Sequence, residues 1–209
     1  MFSFQYLIKV VSYLIYGLFC VLILQITLQY IPINFDVAFL RIKQDEIQLF
    51  HYKVAFYTHV FTAIFSLLAG FTQFSVYFRR KYPIVHRYIG AVYIVAILIF
   101  AAPSGLIMSY YANGGFWSQL AFCLLSVGWF GTTYAAYASL KVKDYERHQR
   151  YMMRSFALTM SAITLRLWKY LIVFFWQPRP MDVYRIVAWL GWVLNLLIIE
   201  LIIYKYFKK

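Results

Sequence analysis

Predominantly apolar runs, broken by short clusters of charge, set the rhythm of the chain. Six of them, roughly residues 10–30, 54–78, 88–111, 116–140, 155–176 and 183–204, can cross a hydrocarbon core about 30 Å thick at about 1.5 Å of rise per residue. The expectation is an all-α, polytopic membrane helix bundle: six transmembrane helices in one integral membrane domain over residues 1–209, with a four-helix core from spans 2 to 5. No internal repeat, low-complexity tract or flexible linker marks a second domain.

Composition sharpens this picture. With 64% hydrophobic and 13% charged residues the chain is not an ordinary water-soluble enzyme. A net charge of +13 would suggest nucleic acid in a soluble protein. Here the basic residues sit in short loops, where they act as topology determinants and contacts to anionic lipid, so membrane lipids are the expected partner and nucleic acid is not. Thirteen of them, including Arg79, Arg80, Lys81, Arg147 and Lys209, fall on one side, against five on the other. That asymmetry places both termini in the cytoplasm and suits a bacterial inner membrane. Cys20 and Cys123 lie inside apolar runs, which leaves no disulfide framework, CxxC pair or zinc cluster. The first thirty residues are too long and too apolar for a cleaved signal and should remain as the first span.

In the longest connection, residues 31–53, the run FDVAFLRIKQDEIQLF at 35–50 mixes apolar positions at Val37, Leu40, Ile42, Ile47 and Phe50 with five charges. Either a short helix on the outer surface or an irregular loop fits that pattern. Asn113-Gly114-Gly115 marks a tight hairpin between spans 3 and 4, and Pro178 and Pro180 mark the turn before span 6.

Polar residues within or beside the spans are the candidate chemistry. His86 and His148 share the cytoplasmic side. Two imidazoles there can ligate the iron of a haem b, the one metal expected, with Arg87, Arg150 and Arg154 placed for its propionates. His59 belongs to the opposite side, about 25 Å away by helix rise. On span 2, His59, Ala63, Ser66, Gly70 and Gln73 recur at spacings of three and four and share one face. On span 5 the same spacing links His148, Met152, Ser155, Thr159, Ala162 and Arg166, provided that the helix is continuous. Arg166 cannot shed its proton and lies deep, so an inward polar cavity open to the outer side is expected, with His59, Gln73, Gln119 and Arg166 as its polar site and an anionic or carbonyl-bearing ligand in reach. The plainer alternative for these positions is interhelical hydrogen bonding and small-residue packing. Glu200 is expected to pair with Lys205 or with an arginine after span 4, and Asn195 to bond between helices.

The blocks GFTQF at 70–74, RRKYPIVHRYIGAVY at 79–93, WFGTTYAA at 129–136 and HQRYMMRSFALTMSAITLR at 148–166 resemble a family of predicted bacterial membrane proteins known as domain of unknown function 2306. The resemblance covers about residues 55–175 and implies a membrane protein whose characteristic polar positions are matched by His59, Gln73, Arg80, His86, Arg87, Gly90, His148, Arg154 and Arg166. The chain departs from that pattern at Phe71, where a Gly-Pro pair before the glutamine is typical. In layout the bundle is also similar to cytochrome b561-type membrane cytochromes, an analogy of architecture only. No nucleotide loop, HExxH sequence or serine elbow is present. Two classes of function therefore stand. One is a redox or cofactor-binding protein that holds haem b and exchanges electrons with a quinone. The other is a non-enzymatic structural or lipid-binding subunit of a larger membrane complex.

Overall fold

The computed structural model describes residues 4–208, with side chains from Tyr6 onward, and every regular element among them is helical. Lys209 of the basic tail lies outside the described residues. In order the elements are α1 (Phe4–Leu28), two short 3-10 turns (Ala38–Ile42 and Glu46–Gln48), α2 (Phe50–Gln73), α3 (Val76–Lys81), α4 (Pro83–Val95), a π-helical stretch (Ala96–Ala101), α5 (Ala102–Tyr110), α6 (Phe116–Lys141), α7 (Tyr145–Thr159), α8 (Ser161–Trp176) and α9 (Pro180–Phe207). Six spans are long and apolar enough to cross a membrane: Tyr6–Leu28, Phe50–Gln73, Pro83–Tyr110, Phe116–Lys141, Tyr145–Trp176 and Pro180–Phe207. The protein is a multi-pass, all-α membrane bundle whose outer faces meet lipid.

Spans 3 and 5 start earlier than hydropathy alone suggests because a proline opens the first and a side-chain cap opens the second. Pro83 occupies the first turn of α4, where its missing N–H costs nothing. The Asp144 carboxylate accepts from the Arg147 N–H at 3.0 Å and opens α7 ten residues before the apolar run begins. Span 5 is not one continuous helix: it breaks at Met160, and α8 restarts at Ser161.

Spans 2 to 5 form the core, with α6 packed against α5, α7 and α9, and α2 against α4, the π-helical stretch and α5. The α9 helix closes against α7 and α8, while α1 leans on α2 and is otherwise largely exposed. Close approach relies on small residues. A Cβ on Gly191 would lie 2.9 Å from the Leu165 Cβ, and one on Gly70 would overlap the Phe156 ring and the Tyr16 hydroxyl. Asn195 bridges helices as expected, donating to the Ala157 carbonyl and to Thr164 Oγ1, both at 3.0 Å.

The segment 31–49 combines the two forms anticipated, short helical pieces joined by irregular backbone, and it packs down by a few buried side chains. Its two 3-10 turns fold inward over the ends of α1, α2 and α5, and Leu40 and Ile47 are fully buried with Tyr30, Tyr52 and Phe56. Each of those two aliphatic side chains contributes about 1.5–3 kcal/mol by leaving water. Lys43 is only 2% exposed and donates to Glu46 Oε1 at 2.6 Å and to the Tyr111 carbonyl, which ties the segment to the end of α5. This folded cap defines one end of the bundle, the lid end. The opposite end carries α3, the start of α7 and the C-terminal turns of α9, and is the basic end.

Candidate functional site

A cavity of about 560 Å³ opens inside the lid half of the bundle. Its walls are mostly apolar and come from α1, α2, α5, α6, α8 and α9, with Phe39 of the lid above and Trp129 and Thr159 below. His59 and Arg166 both face it.

The orientation of His59 is fixed from behind. Its Nδ1 lies 2.8 Å from the Ala101 carbonyl, where the π-helical stretch meets α5. A carbonyl only accepts, so Nδ1 carries the proton and the neutral ring leaves Nε2 as an acceptor for whatever occupies the cavity. Gly105 makes this approach possible: a Cβ there would stand 3.1 Å from His59 Cε1 and 3.1 Å from Ser126 Oγ.

Arg166 is the opposite kind of group, a permanent cation presenting N–H donors. It donates to the carbonyl of Ala162 in its own helix and belongs to none of the ion pairs among the described residues. It lies close enough to His59 and Tyr30 to act on both electrostatically. Lys169, one turn further along α8, also lines the cavity, and none of the described lining residues is acidic.

Below the cavity, a hydroxyl cluster that the sequence did not single out joins three spans. Tyr93 Oη lies 2.7 Å from Ser155 Oγ and 3.0 Å from Thr159 Oγ1; Thr133 Oγ1 lies 2.7 Å from Ser155 Oγ; and the Trp129 indole donates to Thr159 at 3.0 Å. Ser155 and Thr159 stood on the marked face of span 5, but Tyr93 and Trp129 are lost among the many aromatics of this chain.

The other sequence-derived positions divide clearly. Gln73 does not join His59. It sits at the far end of α2 and donates to the His86 carbonyl at 3.1 Å, as 14 residues of helix rise require. Gln119 is spent on the Tyr110 carbonyl at 2.9 Å, closing the hairpin outside the cavity. His86 and His148 are electrostatic neighbours at the basic end. His148 Nδ1 donates to the Ala136 carbonyl at 2.9 Å, whereas His86 Nδ1 is buried without a partner. Arg154 is forked onto Glu200, with Nη2 to Oε2 at 2.8 Å, and Arg150 pairs with Glu146 and stacks on Phe207. Only Arg87 of the three arginines is not committed to a carboxylate, and it is exposed. No group of three or more potential metal ligands is assembled among the described residues.

Residues 56–203 match the family described as predicted membrane protein, DUF2306. The chain belongs to that family. No match was found among curated proteins or among solved structures. His59, Arg166, the hydroxyl cluster and the basic-end histidines all lie within the stretch matched to DUF2306, whereas α1 and the lid lie before it.

Proposed function

We propose that this DUF2306 protein binds an amphiphile with an anionic head, a lipid-type carboxylate or phosphate, in the His59/Arg166 cavity. The observation that carries the reading is the uncompensated charge. Arg166 and Lys169 face a largely apolar cavity within the membrane span, with no acidic lining residue among those described. A cation held at that depth is costly unless a partner, water or an anion answers it. The apolar walls suit a hydrocarbon tail, and the guanidinium fork suits a carboxylate or phosphate head. His59 Nε2 accepts from a hydroxyl where the head carries one, as a phosphate monoester or a glycerol hydroxyl does, while a bare carboxylate is held by Arg166. Such a protein acts as a lipid-binding subunit or as the membrane site of lipid chemistry.

A quinone is the second head group with support, since its carbonyl accepts from Arg166 and the hydroxyl of its reduced form donates to His59 Nε2. Being neutral, it leaves the two cations unanswered. Mass spectrometry of the amphiphile that copurifies with the protein separates the two. The wild type should carry an acidic lipid that is lost from Arg166→Leu; recovery of a neutral quinone, or of the same lipids from both proteins, would overturn the anionic reading.

The neighbouring His86 and His148 support a haem b reading at the basic end. His148 already has the backbone-anchored Nδ1 that a ligating imidazole uses, but His86 lacks that anchor, and Arg154 and Arg150 are taken by carboxylates. The reduced-minus-oxidised spectrum tests it: a Soret change lost in His148→Ala supports haem, and a colourless folded protein from haem-replete cells excludes it. We also propose that the basic end and both termini face the cytoplasm of a bacterial inner membrane, which reporter fusions at Asn113 and at the C-terminus test by reading opposite sides.

A further inference from the structure

We infer that the cavity is reached from the lipid bilayer, through the seam between α1 and α8, while the folded segment 31–49 keeps its water-facing mouth closed. The inference rests on reading the cavity as a ligand site, but its test does not need the ligand.

The walls of the cavity are unequally sealed. Lining residues from α2, α5, α6, α7 and α9 are all buried or half-buried. The exposed ones are Gln29 at the end of α1, Ala38 at the start of the lid, and Arg166 and Lys169 on α8. These helices touch only sparsely, whereas α8 packs closely on α9 and α2 on α5. Both helices expose apolar side chains, Leu24 and Leu28 on α1 and Leu167 and Val173 on α8, so a seam between them opens toward acyl chains.

The mouth toward water is closed by different means. Leu40 and Ile47 are fully buried on the inner face of the lid, and the nearly inaccessible Lys43 ties the lid to the Tyr111 carbonyl at the end of α5. Displacing the lid would expose those aliphatic side chains and leave the Tyr111 carbonyl without its donor. By contrast, α1 and α8 meet sparsely, through an apolar cluster that includes Cys20, Ile23 and Ile163 and lies deeper in the bundle than Arg166, so the seam can part above it. A tailed molecule can therefore slide in head first, passing Lys169 and Arg166, with its tail still among lipids.

The test uses one cysteine in the cavity. In proteoliposomes of Cys20→Ala/Cys123→Ala protein, Ser126→Cys is exposed to membrane-permeant N-ethylmaleimide or to a sulfonated, impermeant maleimide. The anionic reagent is favoured by the cavity's charge, so its exclusion is informative. The permeant reagent should label and the sulfonated one should not, from either face. Ala162→Trp, filling the seam, should slow the permeant reaction about tenfold or more, and Gln29→Trp, on an exposed position unable to disturb packing, should slow it measurably. Lys43→Met should admit the sulfonated reagent. Equal labelling of the parent protein by both reagents would overturn the inference, as would unchanged permeant rates in both tryptophan variants. Failure to bind any anionic lipid, with this labelling pattern intact, would count against the proposed ligand and not against the route.

Discussion

Arg154 and Arg166 stand on one membrane span and meet different surroundings. At the basic end Arg154 forks onto Glu200 of α9, and its neighbour Arg150 is held by Glu146. At the lid end Arg166 faces a cavity with no acidic residue among its described walls. Two arginines that look alike in sequence therefore do different work: one fastens α7 to α9, and the other leaves its charge available to a ligand. The same contrast holds for the histidines. His59 is braced by the Ala101 carbonyl beside the cavity, while the half-buried His148 is braced by the Ala136 carbonyl of α6.

Exchanging the fates of these residues gives the largest expected effects. Arg166→Leu should weaken binding of an acidic amphiphile by about 30-fold or more, about 2–5 kcal/mol for removing one partner of a desolvated charge contact, while leaving thermal stability nearly unchanged. Arg166→Lys should recover only part of the loss, because the planar fork is gone. At the lid, Lys43→Met should lower stability by about 2–3 kcal/mol, since Glu46 and the Tyr111 carbonyl lose a nearly buried cation, and differential scanning calorimetry reads this directly. Arg154→Leu should behave in reverse to Arg166→Leu, with a melting temperature lowered by the loss of about 1 kcal/mol and unchanged ligand affinity. Equal effects of the two substitutions on binding would erase the distinction between the ends.

Gly105→Ala probes the brace behind His59. Its methyl group must displace the imidazole or Ser126 by a few tenths of an ångström, so a several-fold loss of affinity should accompany a small gain in helix stability. The smallest effect concerns pH. Burial pushes the Glu46 carboxyl up, but the hydrogen bond and charge of Lys43 outweigh burial and hold it below its ordinary value. The unfolded chain then binds the proton more readily than the folded one, so this contribution to lid stability is present above the ordinary carboxylate value of about 4.3 and disappears as pH falls through the lower folded value. The protection factors for amide exchange at Lys43 to Gln48, which take out the intrinsic slowing of exchange with falling pH, should drop only in that acid range; a drop between pH 8 and 6 would point to another group.

Much of the fold was legible because a membrane reduces it to length and hydropathy: 30 Å of hydrocarbon selects the six spans whatever their packing. What hydropathy misses are helix extensions set by caps, such as Asp144, and the break at Met160, which no proline or glycine announces. Segment 31–49 was ambiguous because Leu40 and Ile47 gain their meaning only from a partner surface built by α1, α2 and α5. Of the four residues grouped at the outer side, His59 and Arg166 do meet around one cavity. Gln73 was misplaced by face periodicity, which says which side of a helix a residue occupies and nothing about its depth.

The most direct measurement of the central reading is a set of dissociation constants for three ligands sharing a twelve-carbon tail or its equivalent: dodecanoate, dodecanol and a decyl-quinone, read by Trp129 fluorescence in detergent micelles against a Trp129→Phe control. If the Arg166 charge awaits an anion, dodecanoate should bind at least about tenfold more tightly than either neutral ligand, a difference of about 1.4 kcal/mol, and Arg166→Leu should remove that preference. Equal affinity for acid and alcohol in the wild type, or a preference that survives Arg166→Leu, would contradict it.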